Sequence, residues 1–166
     1  MLIACFKNMN NNEAVIRQFY TAFQQLDHNA MNDCYSDYPI FNDQVFGILE
    51  GPEVFAMWEM LCKNARDFSL EFSNIQLLDE EYATCNWTAR YTFSKTGRKV
   101  INSIKAHMRI QDGKIAEHTD QFDIWKWSRQ ALGLPGLLLG WSGFMKNRIR
   151  LNARKNLERF MAKSSN

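Results

Sequence analysis

The stretch Tyr82–Asp123, YATCNWTARYTFSKTGRKVINSIKAHMRIQDGKIAEHTDQFD, decides the fold. Its apolar and aromatic residues recur at every second position, the period of a strand with one covered face. Thr96-Gly97 and Asp112-Gly113 interrupt that pattern, and Asp-Gly between alternating runs is a strong local hairpin signal. The reading is three consecutive antiparallel strands over Tyr82–Ser94, Arg98–Ile110 and Lys114–Asp123. Successive strand side chains point to opposite sides, so each strand sorts into two faces. Trp87, Ala89, Tyr91 and Phe93 share the inner face of the first, and Asn102, Ile104, Ala106, Met108 and Ile110 that of the second. In the third, Ala116 and Phe122 mark the inner face and carry His118 and Asp120 inside with them. By the same parity His107, Arg90 and Arg109 point outward.

Upstream, Phe68, Leu70, Phe72 and Ile75–Leu78 predict one more strand. Before it, three helical pieces are expected. Asn10, Asn11 and Asn12 are candidate N-caps for a helix carrying Val15, Ile16, Phe19, Phe23 and Leu26 at three- and four-residue steps. A shorter helix through Ala30, Met31, Cys34 and Tyr35 is expected to stop before the turn signals Ser36 to Pro39, with an extended segment from Ile40 to Val45. Gly51-Pro52 opens a third helix bearing Val54, Trp58 and Cys62. Helices first and an antiparallel meander after them make the class α+β. Downstream, a short helix to Leu132, the apolar run Leu137 to Trp141 and a basic helix from about Phe144 to Met161 read as a helical extension. The expected organisation is one domain over residues 1–124 with residues 125–166 packed on it.

The composition excludes several classes. In 166 residues, 46% apolar and 23% charged describe an ordinary globular chain, and three prolines and eight glycines do not make a linker or a repeat fibre. Twenty basic against 18 acidic residues leave a net charge of +2, too balanced for a polyanion binder overall. Cys5, Cys34, Cys62 and Cys85 show no C-x-x-C spacing and read as reduced thiols. The apolar Met1-to-Phe6 stretch is too short for a signal core, so the expected compartment is the cytoplasm.

The chemistry-bearing residues are Asp43, which stands among apolar neighbours, and the His118-x-Asp120 pair. His and Asp two apart on one strand face hydrogen-bond and tune each other's protonation. The same pair also reads as a structural ion pair, and Asp43 as a carboxylate capping a turn. His118-x-Asp120 offers two metal ligands but no third at a suggestive spacing, so no metal is expected.

Ala14–Asp27 (AVIRQFYTAFQQLD), Phe41–Gly47 (FNDQVFG) and Asp112–His118 (DGKIAEH), in this order and spacing, resemble the SnoaL-like and ketosteroid-isomerase-like branch of the nuclear-transport-factor-2-like superfamily. The resemblance spans roughly residues 12 to 124. It implies a cone: a strongly curved, mostly antiparallel sheet wrapped around the N-terminal helices, with an apolar pocket at the wide end. It also implies a homodimer through the outer sheet face. Asp43 falls where ketosteroid isomerases carry the proton-abstracting aspartate. The two places of their oxyanion hole hold Phe19 and Ala106, which donate nothing, so authentic steroid isomerisation is not implied. Tyr20, next to the expected tyrosine, is rotated about 100° around the helix and is no replacement.

The resulting expectation is a protein that binds a hydrophobic small molecule and acts as a cofactor-free lyase, isomerase or cyclase. Asp43 or Asp120 is the base, His118 tunes it, and Tyr20, Trp87, Tyr91, Phe93, Asn102, Met108 and Phe122 contact the substrate. The competing expectation is a non-catalytic ligand-binding or dimeric interaction module. From Lys146 to Lys163 the last helix is basic with only Glu158 opposed, and Met145, Ile149, Ala153, Leu157 and Met161 recur at i+4. Such a helix either packs its apolar stripe on the domain or makes weak contact with an anionic membrane or an acidic partner. It lacks any fingerprint for base readout, so no nucleic-acid partner is expected.

Overall fold

The alternation in Tyr82–Asp123 is realised as the middle of a six-stranded sheet. In a computed structural model that describes residues 2–164, with side chains over 11–163, β4 (Tyr82–Phe93), β5 (Arg98–Gln111) and β6 (Lys114–Gln121) pair antiparallel in sequence order. β3 (Ser69–Leu77) joins β4 antiparallel at one side. At the other side β1 (Tyr35–Asp43) pairs parallel with β6, and β2 (Gly47–Glu50) closes a hairpin on β1. The order is β2-β1-β6-β5-β4-β3, a mixed sheet with a single parallel contact.

The helices cover its concave side. In α1 (Leu2–Gln24) Ile16, Phe19, Tyr20 and Phe23 are buried at helical spacing, and in α3 (Pro52–Asn64) Val54, Met57 and Trp58 are. They meet Leu70, Trp87, Ile104, Ala106 and Met108 from the inner faces of β3, β4 and β5 in one core. The short α2 (His28–Asn32) is capped by Asp27, whose carboxylate accepts from the Ala30 N–H at 3.0 Å.

Several expectations need correction. Helix α1 does not start at the asparagines but runs through them. Asn12 is buried and spends its side-chain amide on the Glu80 carbonyl at 2.7 Å, a tertiary bond that replaces a cap. The Asn10 side chain, the Cys5 thiol and the Met1-to-Phe6 side chains lie outside the described residues. Tyr35 opens β1 instead of closing a helix, and Ser36 to Pro39 form no turn. They occupy the register shift between Tyr35 and Ile40 on β6, where an irregular strand accommodates a proline without a lost ladder bond. Strand β2 was not expected, being only four residues long. A bulge between Arg109 and Ile110 puts Ile115, not Ala116, on the inner face. The last strand stops at Gln121, and Asp123 caps the next helix by accepting from Trp125 and Lys126 N–H, each at 2.9 Å.

The residues beyond 123 fold onto this frame. β5 outruns β6, and α4 (Ile124–Leu132) covers the exposed backbone there: the Gln130 amide pairs with both the N–H and the carbonyl of Ile101. After α5 (Leu134–Leu139), α6 (Gly143–Ser164) crosses toward α3. Its Arg154 guanidinium donates to the Phe46 carbonyl at 3.1 Å and to that of Ile48. Met145, Ile149 and Leu157 are buried, so the apolar stripe of the basic helix faces the fold. Among the described residues no helix is long and apolar enough to cross a membrane.

Candidate functional site

The wide end of the cone holds a cavity of about 970 Å³. Trp87, Ala89, Ile104 and Phe122 come from the sheet, Phe23 and Met60 from the inner helices, and Met145, Ile149 and Phe160 from α6 across the opening. Two carboxylates are set into this apolar wall, Asp43 and Asp120. Their proximity follows from strand register. Phe41 pairs with His118 and Asn42 with Thr119 across the parallel β1–β6 contact, so the next residues inward, Asp43 and Asp120, stand side by side. Neighbouring strands lie about 4.8 Å apart.

Asp120 is held by a chain of buried hydrogen bonds. Its Oδ1 accepts from His118 Nε2 at 3.0 Å and from Trp87 Nε1 at 3.2 Å. Behind it, Tyr35 Oη contacts His118 Nδ1 at 2.6 Å, and Trp58 Nε1 donates to Tyr35 Oη at 3.0 Å. The roles follow from the inventory of donors. Indole N–H only donates, so the Tyr35 oxygen accepts from Trp58 and gives its one proton to His118 Nδ1. Nε2 is then the protonated nitrogen, and it points its proton at Asp120. This assignment satisfies both imidazole nitrogens, both indole N–H groups and the Tyr35 hydroxyl, as burial demands, since His118 is 1% exposed. The imidazole is further clamped by Phe19 and Phe41 edge-on and by Trp58 stacked at 5.9 Å. Burial drives the Tyr35 phenol well above its usual range, with the Trp58 hydrogen bond acting against it, so it stays a donor.

Asp43 differs. It closes β1 and caps the β1–β2 turn, its Oδ1 accepting from Val45 N–H at 2.9 Å and Phe46 N–H at 2.5 Å. Burial pushes its carboxyl up from 3.8 to about 7, and the charge of Asp120 pushes the same way against the pull of those N–H groups. The turn-cap and pocket readings of Asp43 therefore hold together. In both carboxylates one oxygen is committed to N–H donors. Oδ2 of each has no hydrogen-bond partner among the described residues.

Of the expected substrate contacts, Trp87, Tyr91, Phe93, Asn102 and Phe122 line the cavity. Tyr91 is fixed by Trp127 of α4, whose indole donates to its hydroxyl at 2.8 Å. Tyr20 and Met108 do not reach the wall. Both point inward but are buried behind the wall, where Tyr20 stacks on Phe72 at 5.4 Å and Met108 packs at 1% exposure. His118 too sits behind the wall and acts on the cavity through Asp120. Tyr35 and Trp58 were missed by sequence reasoning, because their partner lies 83 and 60 residues away and no local pattern marks the link. Arg90 and Arg109 are outside, paired with Glu71 and with Glu81 and Glu117. Phe19 and Ala106 are fully buried and offer no donor. Among the described residues no three metal-ligating side chains converge.

This architecture recurs in solved structures. An NTF2-like protein of unknown function from Burkholderia pseudomallei superposes with a TM-score of 0.65 at 20% identity, over 73% of this chain and 97% of its own. A protein of Xanthomonas campestris, provisionally assigned as a polyketide cyclase, gives 0.63 at 15% identity over 75% and 98%. An LEH-like epoxide hydrolase of M. tuberculosis gives 0.63 at 17% identity over 78% and 96%. At such identities the likeness shows the cone fold alone. No protein of curated function matches the chain by sequence. The sequence pattern of the SnoaL-like domain, however, matches residues 16–118, more than half of the chain, from within α1 to His118, and the protein therefore belongs to the SnoaL-like domain family.

Proposed function

We propose that this protein is a cofactor-independent proton-transfer enzyme, an isomerase, lyase or cyclase acting on an apolar carbonyl compound. The observation that carries the reading is the placement of two carboxylates on one largely apolar wall. Asp43 is poised to hold a proton near neutral pH, while Asp120 is oriented by His118 and Trp87. Asp120 takes a proton from the carbon beside the carbonyl. Asp43 gives its proton to the carbonyl oxygen, and the product is the enol, with the two carboxyls exchanged in protonation. Return of the proton at another carbon isomerises the substrate, and attack of the enol on a second carbonyl closes a ring. His118 is a positioning residue throughout. The largely apolar lining suits such a step because it lowers the dielectric around both carboxyls.

The polyketide-cyclase assignment of one structural neighbour agrees with this chemistry. Arg90 and Arg109 are engaged with acids on the outer face, whereas Arg66, Arg148 and Arg159 line the cavity. The test is hydrogen–deuterium exchange at the α-carbon of apolar ketones in deuterated buffer, followed by NMR. Exchange catalysed by the native protein, lost in Asp120→Asn and reduced about 10²-fold or more in Asp43→Asn, is expected. Ketones that bind in the cavity but exchange at the same rate with and without Asp120 would leave a binding module instead.

A further inference from the structure

Helix α5 is built inside out. In an ordinary surface helix the apolar side chains face the fold. Here Gly136 and Gly140, one turn apart, occupy that side: a Cβ on Gly136 would meet the Ser128 carbonyl oxygen at 2.0 Å, and one on Gly140 the Ser128 hydroxyl at 2.0 Å. The glycines let α5 lie directly on α4, and the leucines are left to point outward. Leu134 is 73% exposed, Leu138 66%, Trp141 64% and Phe144 69%, with Leu137 and Leu139 also open. The indoles of Trp125 and Trp141 donate to the Leu137 and Leu138 carbonyls at 3.4 and 3.1 Å, so both rings belong to the same patch. A monomer in water rarely exposes so many large apolar groups together.

The charge on this part of the chain is mainly of one sign, with Asp123 and Glu158 at its two ends. From Ile124 to Leu157 the chain carries seven cations, Lys126, Arg129, Lys146, Arg148, Arg150, Arg154 and Lys155, and no acid. Among the described residues Arg154 is the one of these in an ion pair, with Glu53. We infer that α5, the following turn and the first turn of α6 dock the protein on an anionic lipid surface, with Leu138, Trp141 and Phe144 entering the acyl boundary. Lys126, Lys146 and their neighbours then meet the headgroups. A second copy is the weaker occupant, because a two-fold contact through this patch sets its cations against themselves. The apolar stripe of α6 plays no part, being already buried, so the membrane contact lies at α5 and not along the basic helix. Pro135 of α5 also lines the cavity, so the docked surface adjoins the wall of the pocket.

Flotation with phosphatidylcholine vesicles, with and without phosphatidylserine, tests this, together with sedimentation equilibrium in the absence of lipid. The native protein is expected to float with the phosphatidylserine vesicles at low salt and to be released as salt is raised. Lys126→Gln and Lys146→Gln should each weaken binding about fivefold. Leu138→Ser combined with Trp141→Ser should abolish it while leaving the thermal melt unchanged, since both side chains are exposed. Absence of binding to phosphatidylserine vesicles at low salt overturns the inference, as does equal binding by the Leu138→Ser/Trp141→Ser protein. A lipid-free dimer that this double variant dissolves assigns the patch to a second copy and overturns it as well.

Discussion

Replacing Asp43 with Asn should stabilise the protein at about pH 8 and leave it nearly unchanged at about pH 4. The carboxyl is raised from 3.8 to about 7 in the folded chain, chiefly by burial. Between those values the folded state holds a proton that the unfolded chain has already lost. Stability therefore falls as pH rises across the window, and above about 7 the whole cost is in force. A displacement of that size corresponds to about 4 kcal/mol as an upper bound, and water reaching the half-buried carboxyl lowers the expected gain to about 2–4 kcal/mol. Asn has the shape of the protonated acid, and its oxygen still accepts from Val45 and Phe46 N–H, so the turn is retained. Urea unfolding of both proteins across this pH range reads the effect, because titrating groups that do not interact with Asp43 cancel in the difference. Two stability curves that run parallel from acid to alkaline pH, or an Asn variant less stable than the native protein at about pH 8, would refute the reasoning.

Tyr35→Phe removes one oxygen but leaves two buried groups unpaired, the Trp58 N–H and His118 Nδ1, and should cost on the order of 3 kcal/mol in urea unfolding. In the native protein the ring nitrogen shifts of His118 should show the proton on Nε2; a proton on Nδ1 would reverse the proposed direction of the chain. Gly136→Ala drives a methyl group against the Ser128 carbonyl, so it should destabilise by about 1–3 kcal/mol and loosen α5 from α4, read as lost amide-exchange protection in α5.

The sheet was legible because its middle strands alternate over long runs and have turn residues between them. Alternation alone carried His118 and Asp120 to the inner face, and their burial agrees. Parity reports a face, however, and not a depth along the cone. Tyr20 and Met108 share the inward direction of Phe23 and Ile104 but lie where α1 and β3 close the core, so they miss the cavity. Tyr35 was hidden for a different reason. Its strand pairs parallel to β6 across a register shift, a contact that spans an intervening helix and four strands of sequence. The asparagines before Val15 look like caps because their side chains compete with helical backbone, and Asn12 instead finds a tertiary acceptor that no local rule foresees.

The division of each carboxylate into a tied and an untied oxygen makes the candidate chemistry separable from the fold. On Asp120 the tied oxygen serves His118 and Trp87, and on Asp43 it serves the turn that joins β1 to β2. A proton on Asp43 therefore resides on Oδ2, since Oδ1 already receives two N–H donors. The corresponding oxygen of Asp120 keeps its lone pairs for a substrate proton. An amide at position 43 reproduces the tied oxygen and removes the exchangeable acid, so its fold should survive while proton donation does not. An amide at position 120 can likewise accept from His118 and Trp87. Asp-to-Asn changes are thus sharper instruments here than truncation to alanine, which would orphan buried N–H groups and confuse loss of structure with loss of chemistry. If both amide variants fold and bind an apolar ketone while neither exchanges its α-proton, the two carboxylates are acting as acid and base and not merely as supports for the strand ends.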